Sequence, residues 1–271
     1  MADEDDDVEK KRLDFQRNPS YETRAVAFYD FLGWRNKIAE AGNDPKRIGD
    51  LRRMILRNTR SLGGILQYAS PGIRFSSFSD NIVVSCEVER DAILHLIATL
   101  ASFQMASLGA GFLVRGGLTI GPIYHDSVSV FGPALNRAYE LESQIAQVPR
   151  IVVDDNIFDI VDRHIVLISC EDVFFINPFS LGFMSILGDI EDVEERPDIY
   201  SSLGLSRGGR FSLKKMSADQ FFGFPLTGIK PMLKIPTTDK EWTKIAWVYD
   251  RLASLLGMPP ASSYPRVRRP E

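Results

Sequence analysis

A chain of 271 residues, 44% hydrophobic and 25% charged, has apolar material for a sizeable core, and at about 150 residues per domain it makes one large domain or one domain with elaborations. Its net charge of −4 excludes a general nucleic-acid binder, which needs a basic face. Two cysteines, Cys86 and Cys170, and three scattered histidines, His95, His125 and His164, give no structural zinc spacing; with no signal-peptide pattern and no apolar run judged long enough to cross a bilayer, the expectation is a cytoplasmic protein with reduced thiols and no membrane partner.

Residues 1–20 begin with Asp3, Glu4, Asp5, Asp6 and Asp7, lack apolar periodicity and are predicted to be a disordered leader. The fold is expected to start near Tyr21. Arg24 to Asp30 reads as a strand rich in apolar and aromatic residues, and Gly33 permits a tight turn in which backbone amides approach a phosphate. Asp44-Pro45 opens a helix with Ile48, Leu51 and Ile55 on one face and Lys46, Arg47, Arg52, Arg53 and Arg57 on the other, the pattern of a solvated basic face.

A strand pair over 73–88 follows, with Phe78-Ser79-Asp80-Asn81 at its turn. A helix from about Arg90 to Ser107, apolar on most sides and stopped by Gly109 and Gly111, is predicted to be buried. Phe112 to Pro122 reads as a strand whose glycines mark a close approach. Gly132-Pro133 opens a helix through about Ala146, and Arg150 to Val153 is another strand. Strand, helix, strand, strand, helix, strand, helix, strand makes two split βαβ units, hence an α/β sandwich of ferredoxin-like type with a central, mostly antiparallel sheet. Residues 21–177 are taken as this domain and 178–271 as an elaboration packed on it. Within the elaboration, 178–237 resists assignment, and 239–256 reads as an amphipathic helix ended by Gly257 and Pro259-Pro260.

Chemistry concentrates at two acids. A divalent cation whose other ligands are phosphate oxygens needs one or two carboxylates, backbone carbonyls and open positions. Asp30 falls at the C-terminal end of the first strand and Asp80 in a hairpin turn beside it. Each alone also suits a turn or a helix cap.

Three blocks, Phe28-Tyr29-Asp30-Phe31-Leu32-Gly33-Trp34, Phe78-Ser79-Asp80, and Val114-Arg115-Gly116-Gly117-Leu118-Thr119-Ile120-Gly121 running into Val130-Phe131-Gly132-Pro133-Ala134-Leu135-Asn136, together resemble the catalytic domain of class III nucleotidyl cyclases over roughly 23–153. The resemblance implies a head-to-tail homodimer with active sites at the interface. It also implies two Mn²⁺ or Mg²⁺ ions per site, held by Asp30, Asp80 and the Phe31 backbone carbonyl. The substrate is a nucleoside triphosphate bound along Phe31, Leu32, Gly33 and Trp34, whose ribose 3′-hydroxyl attacks the α-phosphorus and releases pyrophosphate, with Asn136 as a catalytic residue.

The departures matter as much. Ser76 and Ser129 stand at the positions where the family selects its purine, and two serines offer neither the charge nor the donor and acceptor pattern of a purine edge. Four residues after Asn136, where the family has a transition-state Arg, this chain has Glu140. Arg137 is about 100° round the helix, a poor substitute in an ideal geometry, and the candidates for phosphate-directed charge are Arg115, Arg137, Arg74 and Lys37. Small-residue purine positions combined with Arg-Gly-Gly-Leu, Phe-Gly-Pro-Ala and Ala-Tyr-Glu-Leu-Glu look like the pyrimidine cyclases of bacterial Pycsar antiphage defence. That likeness implies conversion of UTP, or CTP, to a cyclic mononucleotide read by a separate effector. Tyr29 and Trp34 are expected to pack rather than bind, and His125 with Asp126 to lie in a hairpin away from the carboxylates.

Overall fold

The computed structural model describes residues 19–55, 72–161, 167–170, 173–179 and 218–269. The expected acidic leader, Arg57 and most of 178–217 lie outside these residues. Strand β1 (Glu22–Leu32) is followed by helices α1 (Trp34–Ala41) and α2 (45–55), the hairpin β2 (Arg74–Phe78) and β3 (Asn81–Cys86), and the long helix α3 (Arg90–Gly109). Then come β4 (Leu113–His125), β5 (Val130–Phe131), α4 (Pro133–Glu140) with a π-helical turn at Leu141–Ile145, and β6 (Ile151–Val153). Strands β7 (Leu167–Cys170) and β8 (Val173–Ile176) precede α5 (Ala218–Ile229) and α6 (Asp239–Leu255).

The sheet runs β2-β3-β1-β4-β6-β8-β7, with β5 paired to β4, and every pairing is antiparallel except β4 with β6. This is the mixed α/β sandwich with a mostly antiparallel sheet that the element order predicted. β5 and β7 were not foreseen: two and four residues carry too little periodicity to register.

β1 sits at the centre and is buried on both faces, so its side chains sort cleanly by parity. Ala25, Ala27, Tyr29 and Phe31 join the large core beneath α3, whereas Val26 and Phe28 pack with Val83, Ile123, Ala134 and Ala138 beneath α4. α4 reaches the sheet because β4 is glycine at the crossing. A Cβ on Gly117 would meet the Ala138 carbonyl oxygen and, at 2.5 Å, Leu141 Cβ.

α3 corrects one expectation. By length and composition it is apolar enough to cross a membrane, but 78% of that window is buried inside the protein. It is the core helix. In α2, Met54 takes the buried position and Ile48 is exposed, so the apolar stripe is turned from the one expected, while Lys46, Arg47, Arg52 and Arg53 are exposed as predicted.

The described part of the C-terminal region shares the same core: Phe222, Leu226, Ile229, Leu233, Ile245, Val248 and Leu252 cluster with α3 and β4 residues. Thr238 caps α6, its side chain accepting from the Glu241 amide while the Glu241 carboxylate accepts from the Thr238 amide at 2.8 Å.

Candidate active site

Asp30 continues the Val26–Phe28 face of β1, and its Cα partners across the sheet are Asn81 and Arg115. The turn between β2 and β3 brings Asp80 to it, Ser79 taking the left-handed conformation at φ 56°. The two carboxyls share a hydrogen bond. Burial above all, then that bond and the charges of Asp80 and Glu142 push the Asp30 carboxyl up to about 7, against the opposing pull of Arg115. Asp30 Oδ1 is buried with no hydrogen-bond partner.

Just past β1 the chain turns at Gly33, φ +79°, a conformation that strains any residue with a Cβ. The residues named for substrate contact there are divided. Phe31 and Trp34 are buried, stacked on each other at 5.7 Å and packed against Phe112, so their side chains belong to the core and only backbone faces outward for a ligand. Leu32 is half-buried. Tyr29 is fully buried against Phe103, and the Lys37 ammonium lies over the Phe112 ring.

A cavity of about 790 Å³ opens on the same face, lined among others by Phe28, Ser76, Phe78, Asn81, Val128 and Asn136. Asp30 and Asp80 do not themselves line it, but Phe28 is two residues from Asp30 and Asn81 is its cross-strand partner, which sets the carboxylates beside the cavity's edge. Ser76 and Asn136 both line this one space. Ser129 is exposed and does not line it; its amide donates to Asp126 Oδ1 at 2.6 Å, closing the turn that carries Ser127 and Val128 into the wall.

Behind Ser76 lies a polar network missed in the sequence. His125, the last residue of β4, is fully buried, with Nε2 3.0 Å from Ser76 Oγ and Nδ1 2.8 Å from Ser85 Oγ. Arg24 Nε donates to Ser85 Oγ at 3.0 Å, and Arg74 donates to the His125 carbonyl oxygen at 2.8 Å and to Glu22. Burial and the neighbouring Arg24 and Arg74 charges hold the His125 ring down to about 4, so it is neutral at physiological pH. The His125 ring contacts Ser76 and Ser85, and its contact with Ser76 is what no local pattern announced.

The candidate cations have other partners. Arg115 is ion-paired with Glu142, which the π-helical turn buries beside it. Arg137 binds Asp154 with two hydrogen bonds, at 2.9 and 2.7 Å, and pairs more loosely with Glu140 at 3.6 Å. Glu140 itself is half exposed. Neither arginine lines the cavity.

No protein-family model matches the chain, and no curated protein matches it. Among solved structures it is similar to the catalytic core of a rhodopsin-guanylyl cyclase with converted specificity in complex with ATPαS, at 14% identity and a TM-score of 0.43, covering 58% of this chain and 97% of that one. It is also similar to the monomeric guanylyl cyclase domain of a rhodopsin fusion protein from the aquatic fungus Blastocladiella emersonii, at 13% identity and 0.45, covering 58% and 95%. A bacterial light-regulated adenylyl cyclase matches at 17% and 0.44, covering 58% of this chain and 53% of that one. Identities this low carry no residue roles across.

Proposed function

We propose that this chain is a metal-dependent nucleotidyl cyclase acting on a pyrimidine nucleoside triphosphate, UTP or CTP. The observation that carries the reading is the Asp30–Asp80 pair. Two carboxyls meet beside a nucleotide-sized cavity, one with a buried oxygen that has no partner among the described residues and a proton affinity raised by burial and then by the other.

Among the described residues no group of three or more His, Cys, Asp or Glu converges to hold a metal. The donor set is thus two carboxylates, completed by backbone carbonyls such as that of Phe31 and by substrate oxygens, which suits Mg²⁺ or Mn²⁺ and not a soft-ligand metal. Bound there, the ions supply charge for the triphosphate and acidify the attacking hydroxyl. The chain's own residues do the rest. Asp30 and Asp80 fix the position of that charge, the turn at Gly33 offers backbone to phosphate, and Asn136 and Ser76 orient the nucleoside within the cavity. The ribose O3′–phosphorus bond forms as the bond from the α-phosphorus to the pyrophosphate oxygen breaks, and the hydroxyl proton leaves to solvent.

A head-to-tail homodimer, the arrangement the resemblance implies, would close this cavity with a second copy. The exposed apolar side chains around the cavity, Phe78 at 82% and Val128 at 84%, favour such a partner over water. The serine at 76 in place of a charged purine reader supports a pyrimidine, and the likeness in wording to the Pycsar cyclases supports a cytoplasmic second messenger for antiphage defence that acts on a separate effector.

The test is incubation of purified protein with each of the four ribonucleoside triphosphates and Mn²⁺, with the products resolved. A cyclic pyrimidine mononucleotide that disappears in Asp30→Ala supports the reading; no cyclic product from any of them overturns it. A second reading, a triphosphate-binding module without turnover, is favoured by one observation: both candidate cations are occupied by acids. It predicts binding without pyrophosphate release. A purine cyclase is the outcome if ATP or GTP alone is converted.

A further inference from the structure

We infer that His125 is a positioning residue that fixes Ser76 as a hydrogen-bond donor into the cavity, so that the cavity takes a base presenting a carbonyl there and disfavours one presenting an amino group. The inference rests on the nucleotide reading above and goes beyond it by choosing between base edges.

The direction of each hydrogen bond follows from one fixed donor. Arg24 Nε carries a proton at all relevant pH values and donates to Ser85 Oγ. Ser85 is fully buried, so its own hydroxyl proton also needs an acceptor, and among the described residues the partner its hydroxyl has besides Arg24 is His125 Nδ1 at 2.8 Å. Nδ1 is therefore the unprotonated nitrogen. A neutral imidazole then carries its single proton on Nε2, which points at Ser76 Oγ at 3.0 Å and donates to it.

Ser76 thus accepts from behind and keeps its own proton for the space in front. That space is the cavity, whose wall Ser76 forms. The chain of donation runs Arg24, Ser85, His125, Ser76, and each bond polarises the next.

A ligand that closes the cavity meets this hydroxyl with either a carbonyl or an amine. Uracil and guanine carry a carbonyl on the edge where cytosine and adenine carry an amino group. The carbonyl accepts the Ser76 proton, whereas the amine leaves it without an acceptor in a desolvated site, and it is the unpaired group that discriminates. One such bond separates the paired bases by about tenfold in affinity. For pyrimidines the arrangement favours UTP over CTP.

The closing experiment has two arms. In the free protein labelled with ¹⁵N-histidine, NMR should show His125, assigned by the signal lost in His125→Gln, protonated at Nε2 and not at Nδ1. A ring protonated at Nδ1 overturns the inference without touching the cyclase reading. In the second arm, calorimetry measures binding of non-cleavable α,β-methylene analogues of UTP, CTP, GTP and ATP with Mn²⁺. The expected result is a UTP to CTP preference near tenfold, kept in Ser76→Thr and reduced to near unity in Ser76→Ala. A preference for CTP, or one unchanged in Ser76→Ala, overturns the inference alone; failure of all four analogues to bind overturns the nucleotide reading and the inference with it.

Discussion

Along one face of the sheet β1 carries Arg24 at one end and Asp30 at the other, and the two ends are finished in opposite ways. Around Arg24 every strong polar group has a partner: Ser85, His125, Ser76, Glu22 and Arg74 form one connected set. Around Asp30, burial and the neighbouring Asp80 carboxyl raise the proton affinity, and among the described residues one of its oxygens has no hydrogen-bond partner. A satisfied buried network rigidifies and specifies, while like charges held together cost stability and mark a place where something else is meant to bind. The cavity lies between the two. On the proposed reading, one end holds a base edge in a fixed sense and the other receives positive charge.

The hardest test of that contrast removes the unfinished end. Asp30→Ala or Asp80→Ala should lower cyclic product formation from UTP with Mn²⁺ by about a thousandfold, the upper range for loss of one electrostatic stabiliser. Asp30→Asn should at the same time raise the melting temperature in metal-free buffer at neutral pH, by about 2–4 °C for each kcal/mol of repulsion relieved. An acid removed from a finished network would lower it instead. Activity within tenfold of the parent in both alanine variants would break the assignment of this end.

Next in size is Gly117→Ala, which acts on both ends by moving the helix that spans them. The new methyl would overlap the Ala138 carbonyl and Leu141 Cβ, and overpacking of this kind costs about 1–3 kcal/mol. Because α4 carries Asn136 and Tyr139 into the cavity wall, turnover should fall along with the denaturation midpoint. Loss of stability without loss of turnover would show that α4 can shift while the cavity is kept.

The two ends also differ in how much of them could be read beforehand. Asp30 and Asp80 were legible because a strand end, a hairpin turn and a glycine turn are encoded within a few residues, and the structure brings both carboxyls together. The order of α3, β4 and α4 was legible for the same reason. The Ser76–His125 contact spans 49 residues and depends on β4 running past its pairing with β1 to lay His125 over β2 and β3, which no periodicity reports. Glu142 was hidden because the helix expected through Ala146 changes to π-helical geometry after Glu140, and that change turns an acid inward against Arg115. The partner of Arg137 was missed because Asp154 lies past β6 and is brought close only by the parallel β4–β6 pairing.

Ser85→Ala asks whether the finished end is as connected as it looks. The hydroxyl is the shared partner of Arg24 Nε and His125 Nδ1, so its loss leaves two buried polar groups short of a hydrogen bond, worth about 1–3 kcal/mol in a denaturant titration. The same variant should free the His125 tautomer, visible as a mixed ¹⁵N pattern. A change under about 0.5 kcal/mol, the size of an ordinary surface substitution, would mean that water replaces the hydroxyl and that the network is not closed.

The smallest effect is the pH dependence of that end. His125 has an ordinary value of 6.5 in the unfolded chain and is held down to about 4 in the fold by burial and by Arg24 and Arg74, with the Asp126 carboxylate opposing. Between these values the unfolded chain binds a proton that the folded chain refuses, so the stability tied to the neutral ring is fully present above pH 6.5 and is lost as pH falls toward 4. One proton sets the slope at no more than about 1.4 kcal/mol per pH unit. Asp126 is itself held below its ordinary value by the Val128 and Ser129 amides, and the Glu22 carboxylate paired with Arg24 and Arg74 is common to parent and variant, so the difference between the two proteins belongs to the imidazole. Denaturant midpoints of the parent and His125→Gln, measured in parallel from pH 7 to pH 5, isolate it from the other carboxyls that titrate lower. The parent should lose stability faster than the variant, and equal slopes would mean that the ring takes up its proton alike in the folded and unfolded chain, so that the fold does not hold it neutral as the donation to Ser76 requires.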